Sequence, residues 1–290
     1  MAAYTVKIEN ALGEMLQLYP SEDYILADMT GITPADAVIN SVEMANLDGA
    51  RYNNSRVGIR NLVITIKIRG KDADVRRRRI NLYKYAKTKQ KIRVYIAHDQ
   101  RDVVIDGYLE SLQDGSTIFT ADQRLMMSII CPDPYFRDNG TGDRLVSFSA
   151  ITPMFNFPFH IVSPIPFSTW DEVHTKIIEN DGDVSCGVVL NVLATDSVTN
   201  PWFYNETTGE RMTFEITLED GDELVVSTVQ GRKSAKLYRN GEEINVINTL
   251  AHGSTWLTLE PGANAFYYNA ESGAAGMSLS FLYTILYEGI

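Results

Sequence analysis

Five carboxylates lie close together in the second half of the sequence, at Glu215, Glu219, Asp220, Asp222 and Glu223. Two of them could serve as the acid and base of a glycosidase, and Asp220-Gly221-Asp222 resembles part of a calcium loop. The other calcium ligands are missing at the required spacing, and Asp-Gly between two strands is a common hairpin signal. We therefore interpret this cluster as a turn.

The histidines and cysteines are scattered along the chain, at His98, His160, His174, His252, Cys131 and Cys186. No two histidines are spaced to bind a metal from one helix or strand, and the cysteines match no metal or redox motif. A nucleophile elbow and a phosphate-binding glycine loop are also missing from the sequence. The sequence therefore predicts no catalytic residue, no cofactor site and no metal site, and it favours buried structural thiols.

Four consecutive arginines, Arg76 to Arg79, raise the question of nucleic-acid binding, because clustered arginines neutralise phosphates. Four successive helical residues fan over a full turn and cannot all face one groove. Asp72 and Asp74 just upstream also supply acidic partners. We favour a solvated or subunit-facing helix, with Arg76 and Arg77 as interface candidates, over contact with DNA passing through a channel and over a dedicated nucleic-acid site.

Two further segments are candidates for binding. Arg51-Tyr52-Asn53-Asn54-Ser55-Arg56 is a polar, basic loop between apolar segments, and it is either solvated or in contact with a neighbouring subunit through Arg51, Tyr52, Asn53 and Arg56. Trp256 shares a strand face with Thr258, whereas Leu257 and Leu259 take the other face. We favour packing for Trp256 over carbohydrate contact.

The elements that position these residues are mostly strands. In the first half, residues 62–68, 91–96, 103–109 and 124–131 are β-prone runs, and residues 72–87 carry apolar spacing with acids near the start and lysines near the end, which predicts one helix. In the second half, short β-rich runs alternate with Gly, Asn, Asp and Pro, which is typical of a β-sandwich.

The predicted organisation is mainly β, with two domains. Residues 1–140 form a β-barrel with a helix near 72–88, residues 141–170 form a proline- and aromatic-rich crossover, and residues 171–290 form the sandwich. The proline and aromatic content of the crossover argues against a flexible linker.

Charge separates the two halves of the chain. Residues 1–144 hold 20 Lys and Arg against 19 Asp and Glu, whereas residues 145–290 hold 6 against 18. The acidic half is expected to repel nucleic acid. The sequence contains no run of about twenty apolar residues that could insert into a membrane. Residues 1–8 lack a secretory signal, so we expect cytoplasmic synthesis without disulfides.

Several segments in order resemble the distal tail proteins of long-tailed, non-contractile bacteriophages. They are Ala-Asn-Leu-Asp-Gly-Ala-Arg at 45–51, the strand and helix that follow, Ser-Ile-Ile-Cys-Pro-Asp-Pro-Tyr-Phe at 128–136, and the closing Gly231-Arg232-Lys233, Trp256 and Pro261-Gly262-Ala263-Asn264. The resemblance covers nearly the whole chain. It implies a barrel with a flanking helix and a galectin-like β-sandwich.

The resemblance also implies a structural virion protein and no enzyme. Six copies would form a ring that joins the tail tube protein to the tail-associated tip protein and, in many phages, to a receptor-binding protein. The protein would lie in the tail tip or baseplate after assembly in the host bacterial cytoplasm. The first alternative is a carbohydrate-binding module that contacts the host cell wall through Trp256. The second is an enzyme that trims that wall.

Overall fold

The computed structural model describes residues 4–45, 48–98, 101–114, 123–140, 142–153, 168–172 and 175–290. Contacts divide the chain into two units. The first unit comprises Met1–Thr141 together with Leu286–Ile290, and the second comprises Gly142–Ile285. The fold is mainly β, with one α-helix among the described residues, as the sequence predicts. No helix in the described ranges has the length and apolar character needed to cross a bilayer.

The elements of the first unit, before the chain enters the second, are β1 (Thr5–Glu9), β2 (Met15–Tyr19), β3 (Tyr24–Thr30), β4 (Ala37–Glu43), β5 (Ala50–Val57), β6 (Arg60–Ile68), α1 (Asp72–Tyr85), β7 (Lys91–His98), β8 (Arg101–Asp114), β9 (Arg124–Cys131) and β10 (Phe136–Asp138). Helix α1 begins at Asp72, where the acidic residues of the sequence predict its start. It ends a few residues before the predicted boundary.

The first unit is a β-barrel flanked by α1. Seven strands pair in the order β2-β1-β7-β8-β9-β6-β3, and β2 and β3, at the two ends of this order, lie in contact. Alternate residues of β6 from Leu62 to Ile68 are fully buried, the period-2 pattern of a strand with one face on the core. Val75 and Leu82 of α1 are buried in the same core.

The elements of the second unit are β11 (Arg144–Ser147), β12 (Ser149–Pro153), β13 (Ser168–Glu172), β14 (Thr175–Asn180), β15 (Cys186–Ala194), β16 (Val198–Thr199), β17 (Trp202–Asn205), β18 (Glu210–Thr213), β19 (Thr217–Leu218), β20 (Glu223–Ser227), β21 (Ser234–Arg239), β22 (Glu242–Asn245), β23 (Thr258–Leu259), β24 (Gly262–Asn269) and β25 (Met277–Tyr283), with short 3-10 turns at Ile247–Thr249 and Ala274–Gly276.

Two packed sheets make the second unit a β-sandwich. One sheet has the order β11-β25-β15-β20-β21-β22, with β23 beside β15, and the other has the order β14-β24-β17-β18. Phe266 of β24 packs against Phe281 of β25 with ring centroids 4.9 Å apart, and Phe148 lies 5.0 Å from Phe281 and 5.5 Å from Tyr268. Side chains from both inner faces therefore fill one core.

About half of the predicted crossover lies outside the described residues, because 141 and 154–167 are not among them. The segments on either side of that stretch, β12 and β13, pair with each other as an antiparallel ladder. The predicted interpretation of residues 141–170 as an ordered, aromatic-covered crossover therefore stays a prediction.

The last five residues return to the first unit, whereas the sequence pattern assigns residues up to 290 to the sandwich. Strand β26 (Leu286–Tyr287) pairs with β10, which in turn pairs with β8. The guanidinium of Arg60, whose residue is 2 % exposed, donates to the backbone carbonyls of Gly31, Thr33, Pro134 and Glu288 at 2.5 to 2.6 Å. Contacts between residues 228 positions apart leave no local sequence signal, which explains the difference.

Candidate subunit interface

Strands β4 and β5 form a hairpin that pairs with no other strand among the described residues. Every residue of β4 is exposed, and so is every residue of β5 except Val57, which is half-buried. An isolated two-stranded hairpin is marginally stable in water, because it has no core of its own. The chain by itself therefore leaves both faces of this hairpin available to a partner.

Residues 51–56 are strand and not loop, which corrects the sequence interpretation. Arg51, Tyr52, Asn53 and Arg56 all lie on β5, paired along its length with β4. The alternation that predicts a strand is hidden here, because polar side chains occupy both faces. A hairpin signal is present just before this segment, where a run with β-branched residues is followed by the turn residues Asp48-Gly49. In the structure Gly49 has a φ of 90°, a conformation that favours glycine.

A β-bulge determines which side chains of the hairpin lie together. The pairing is Asn40 with Asn54 and then Ser41 with Tyr52, so that Asn53 is the extra residue. Arg51 and Arg56, five positions apart, would occupy opposite faces of a regular strand. The bulge places both on one face, opposite Val42 and Val38 respectively.

The two faces of the hairpin differ in chemistry. One face combines the cations Arg51 and Arg56 with the exposed aliphatic side chains of Val38 and Val42, which are 48 % and 50 % exposed. The opposite face carries Ile39 and Tyr52, at 65 % and 60 % exposure, with the Tyr52 hydroxyl 2.9 Å from the hydroxyl of Ser55. Exposed Tyr and Arg side chains beside exposed aliphatic ones fit the composition of a protein-binding surface.

Sequence reasoning missed the aliphatic contribution of β4 to this surface. Val38, Ile39 and Val42 were predictable as a β-prone run. Their exposure was not predictable, because apolar residues in a strand are normally taken as core. Within the described part of the chain, no ion pair is recorded for Arg51 or Arg56, so their charges are also available to a partner.

The arginines of α1 do not act as one group. Arg78 forms an ion pair with Asp23 at 2.6 Å, and Arg79 lies 3.4 Å from Asp114, so both are directed toward the barrel. Arg76 and Arg77 are exposed, and Arg77 forms a surface ion pair with Asp74 at 3.2 Å. The four side chains therefore point in different directions, as the helical interpretation of the run predicts. Arg76 and Arg77 remain candidates for a subunit interface.

Trp256 lies in the second unit, where it is half-buried beneath Lys233, whose amine is 5.2 Å from the ring centroid. Leu257 and Leu259 are fully buried, and Trp256 and Thr258 lie on the other side of the chain, as the alternation predicts. The other sequence-predicted site residues all belong to the first unit.

Three side chains with shifted pKa values, Cys131, Cys186 and Asp106, lie in structural environments. The described residues contain no group of His, Cys, Asp and Glu side chains able to hold a metal ion. Burial raises the pKa of the Cys131 and Cys186 thiols to about 12, so neither is a thiolate nucleophile at neutral pH. Burial alone would raise the pKa of Asp106, but hydrogen bonds from Arg93, Lys91 and Arg137 hold it well below its usual range, as expected of a structural ion-pair cluster.

Comparison with known proteins gives two findings. Residues 181–283 match the family model described as the siphovirus-type tail component, C-terminal domain. Among solved structures, the chain is similar to the Dit protein of phage SPP1, with a TM-score of 0.67, 13 % identity and 98 % of each chain covered. That structure is described as a paradigm of the hub of the adsorption apparatus in phages that infect Gram-positive bacteria.

A chain in the baseplate of phage P2, solved in its activated conformation with calcium, is also similar, with a TM-score of 0.47, 8 % identity, and 97 % of this chain and 98 % of that chain covered. No curated protein matches the sequence. Both findings agree with the resemblance seen in the sequence: residues 181–283 match a siphovirus-type tail component domain, and the chain as a whole has the fold of the SPP1 Dit protein.

Proposed function

We propose that this protein is a structural hub of a siphophage tail, in which six copies close into a ring at the end of the tail tube. The ring joins the tail tube protein to the tail-associated tip protein and to a receptor-binding protein. The protein is then a component of the virion, assembled in the host bacterial cytoplasm, and its role is assembly and not catalysis.

The observation that carries the proposal is the unpartnered β4–β5 hairpin. A hairpin without a core gains stability when its exposed apolar side chains are covered, and a neighbouring copy of the chain can do this repeatedly around a ring. Such head-to-tail contacts are heterologous, so they close only if the rotation between copies closes. The match to a tail-component domain and the fold of the SPP1 Dit protein support a hub role in a phage tail.

The charge of the hairpin supports a specific docking geometry. Arg51 and Arg56 lie on one face with Val38 and Val42, so a neighbour must present carboxylates beside an apolar strip. Buried contacts of this kind supply affinity through apolar area, and the arginines supply register and exclude wrong partners.

Light scattering combined with negative-stain imaging of the full-length protein tests the proposal. We expect a six-fold ring, and we expect Arg51→Glu combined with Arg56→Glu to give monomers, because both charges on the apolar face are reversed. Arg232→Glu, an exposed charge reversal in the second unit, is the control and should leave the ring intact. A wild-type protein that remains monomeric at high concentration, or rings unaffected by the double reversal, would contradict the hairpin-based assembly.

A further inference from the structure

The outer face of the sheet β14-β24-β17-β18 carries a row of aromatic side chains. The strand registers align Thr175, Tyr267, Tyr204 and Arg211 across all four strands. Trp202 lies two residues from Tyr204 and therefore shares this face. The residues between them in sequence, among them Phe203, Met212, Phe266 and Tyr268, are buried on the inner face.

Contacts along this face hold the three rings in place. The rings of Tyr204 and Tyr267 lie 6.2 Å apart at an angle of 41°, and the guanidinium carbon of Arg211 lies 4.4 Å from the ring centroid of Trp202. The Tyr267 hydroxyl donates to the carboxylate of Glu206 at 2.8 Å. Side chains ordered in advance lose less entropy when a ligand binds.

The opposite outer face of the sandwich differs. Its strands β15, β20, β21 and β25 carry one outward aromatic ring, Tyr238 of β21, which stands alone. The outward residues of the other three strands have no aromatic ring; they are Gly187, Val189, Asn191, Leu193, Glu223, Val225, Ser227, Ser278, Ser280 and Leu282. The aromatic row is therefore a property of one face and not of the whole unit.

The chemistry of this face fits a sugar. Three aromatic rings offer flat apolar surface, and Arg211, Glu206 and Asn269, all exposed, surround them with donors and acceptors. A pyranose presents the complementary pattern, because its C–H groups stack on aromatic rings and its hydroxyl groups form hydrogen bonds at the edge.

The charge of the second unit and the small exposed aliphatic area of this sheet indicate which class of ligand can bind to the aromatic face. The second unit holds 7 Lys and Arg against 18 Asp and Glu, so it repels anionic polymers. Among the described residues of the four strands, Ile177 is the one large aliphatic side chain that is strongly exposed. A stable protein partner normally covers more aliphatic surface than this. We propose that this aromatic face binds a neutral saccharide, at a site distinct from the Trp256 site considered from the sequence.

Titration of the full-length protein tests this inference. The probes are neutral oligosaccharides of glucose, galactose, rhamnose and N-acetylglucosamine, with poly(glycerol phosphate) as an anionic comparison, and the readouts are saturation-transfer NMR and calorimetry. We expect at least one neutral oligosaccharide to bind, with affinity that changes little with salt. Tyr204→Ala and Tyr267→Ala should each weaken binding about tenfold.

Tyr238→Ala is the matched control, because Tyr238 lies on β21 of the opposite sheet. It should change affinity less than about twofold, and the unfolding transition of each variant establishes that it is folded. Binding of no neutral oligosaccharide, binding of the anionic polymer alone, or equal affinity for all variants would overturn the inference. Loss of self-association in Tyr204→Ala without sugar binding would identify a protein contact instead and also overturn it.

The inference does not rest on the proposed ring. The same samples can be examined for oligomeric state and for sugar binding. Rings that bind no sugar would overturn this inference alone, whereas sugar binding by a persistent monomer would overturn the ring alone.

Discussion

The first unit carries 19 Lys and Arg against 19 Asp and Glu, whereas the second carries 7 against 18, which gives net charges of 0 and −11. The neutral barrel unit bears the unpartnered hairpin and its exposed aliphatic side chains. The acidic sandwich unit bears the aromatic face, and Ile177 is the one strongly exposed large aliphatic side chain on the described residues of its four strands. One chain therefore holds two surfaces of different chemistry: an aliphatic and cationic hairpin on a neutral unit, and an aromatic face on an acidic unit.

The two units can be observed separately in one experiment. All three tryptophans, at positions 170, 202 and 256, belong to the second unit. Tryptophan fluorescence therefore reports on the sandwich, and far-ultraviolet circular dichroism reports on both units.

Replacing Arg60 should have the largest effect. Arg60→Ala leaves the carbonyls of Gly31, Thr33, Pro134 and Glu288 without this donor in a buried site. We expect the free energy of unfolding of the first unit to fall by about 4 kcal/mol, with release of residues 286–290. Denaturant unfolding followed by circular dichroism measures the loss, and hydrogen exchange of residues 286–290 measures the release.

The fluorescence transition of Arg60→Ala should stay close to that of the wild type. Arg124→Ala, which removes an exposed arginine of the same barrel, is the control. Equal loss in both signals would mean that the two units unfold as one, which would contradict the comparison.

Two glycines, one in each unit, test whether the two units unfold independently. Gly31 in the first unit and Gly273 in the second have φ values of 82° and 75°, and a Cβ at either position would lie 2.1 or 2.0 Å from a backbone carbonyl oxygen. An alanine at either position would add backbone strain to a displacement of the neighbouring backbone. We therefore expect each substitution to lower the free energy of unfolding of its unit by about 3 kcal/mol. Gly31→Ala should shift the circular dichroism transition alone, and Gly273→Ala should shift fluorescence. Gly221→Ala, with φ 86° but open space, separates strain from collision.

The smallest of the three effects concerns one aspartate in each unit. Asp106 accepts from Lys91 at 3.0 Å, Arg93 at 2.8 Å and Arg137 at 2.8 Å, and Asp222 is held by Arg239. Hydrogen bonds from these cations place both carboxyl pKa values below the ordinary 3.8. A lowered folded-state pKa contributes stability above about pH 4, and that stability is lost as the pH falls further.

Asp106→Asn should therefore destabilise the first unit by about 2 kcal/mol at pH 7, and Asp222→Asn the second unit by a similar amount. The gap between each variant and the wild type should narrow below about pH 4, because the wild-type carboxyl then becomes protonated. Unfolding curves from pH 7 to pH 2 measure this. A gap that widens in acid would show that these aspartates are not ionised in the folded state.

The periodic elements of both units were predictable from the sequence. Strands β6 and β7 and helix α1 have patterns that depend on local spacing, and each pattern survives in the structure. The sandwich was predictable as a class, because short β-rich runs between turn residues have few other solutions. Helix geometry also predicted that the four arginines of α1 would diverge.

The candidate sites were less predictable. Residues 51–56 do not alternate, since polar side chains on both faces remove the period-2 signal, and the bulge at Asn53 that brings Arg51 and Arg56 together depends on pairing with β4. Trp256 drew attention as a single aromatic residue. The aromatic face instead joins Trp202 and Tyr204 to Tyr267, more than sixty positions later, through strand pairing.

The mainly β class, the helix near residue 72, the uneven charge and the resemblance to distal tail proteins could all be read from the amino-acid sequence, because these depend on composition, local period and the order of motifs. Three features appear only in the folded chain: Arg60 binds the last residues to the barrel, the β4–β5 hairpin pairs with no other strand among the described residues, and three aromatic rings form one face. The physical reason is common to all three: each depends on pairing or burial between residues far apart in the chain, and neither property is encoded in local spacing.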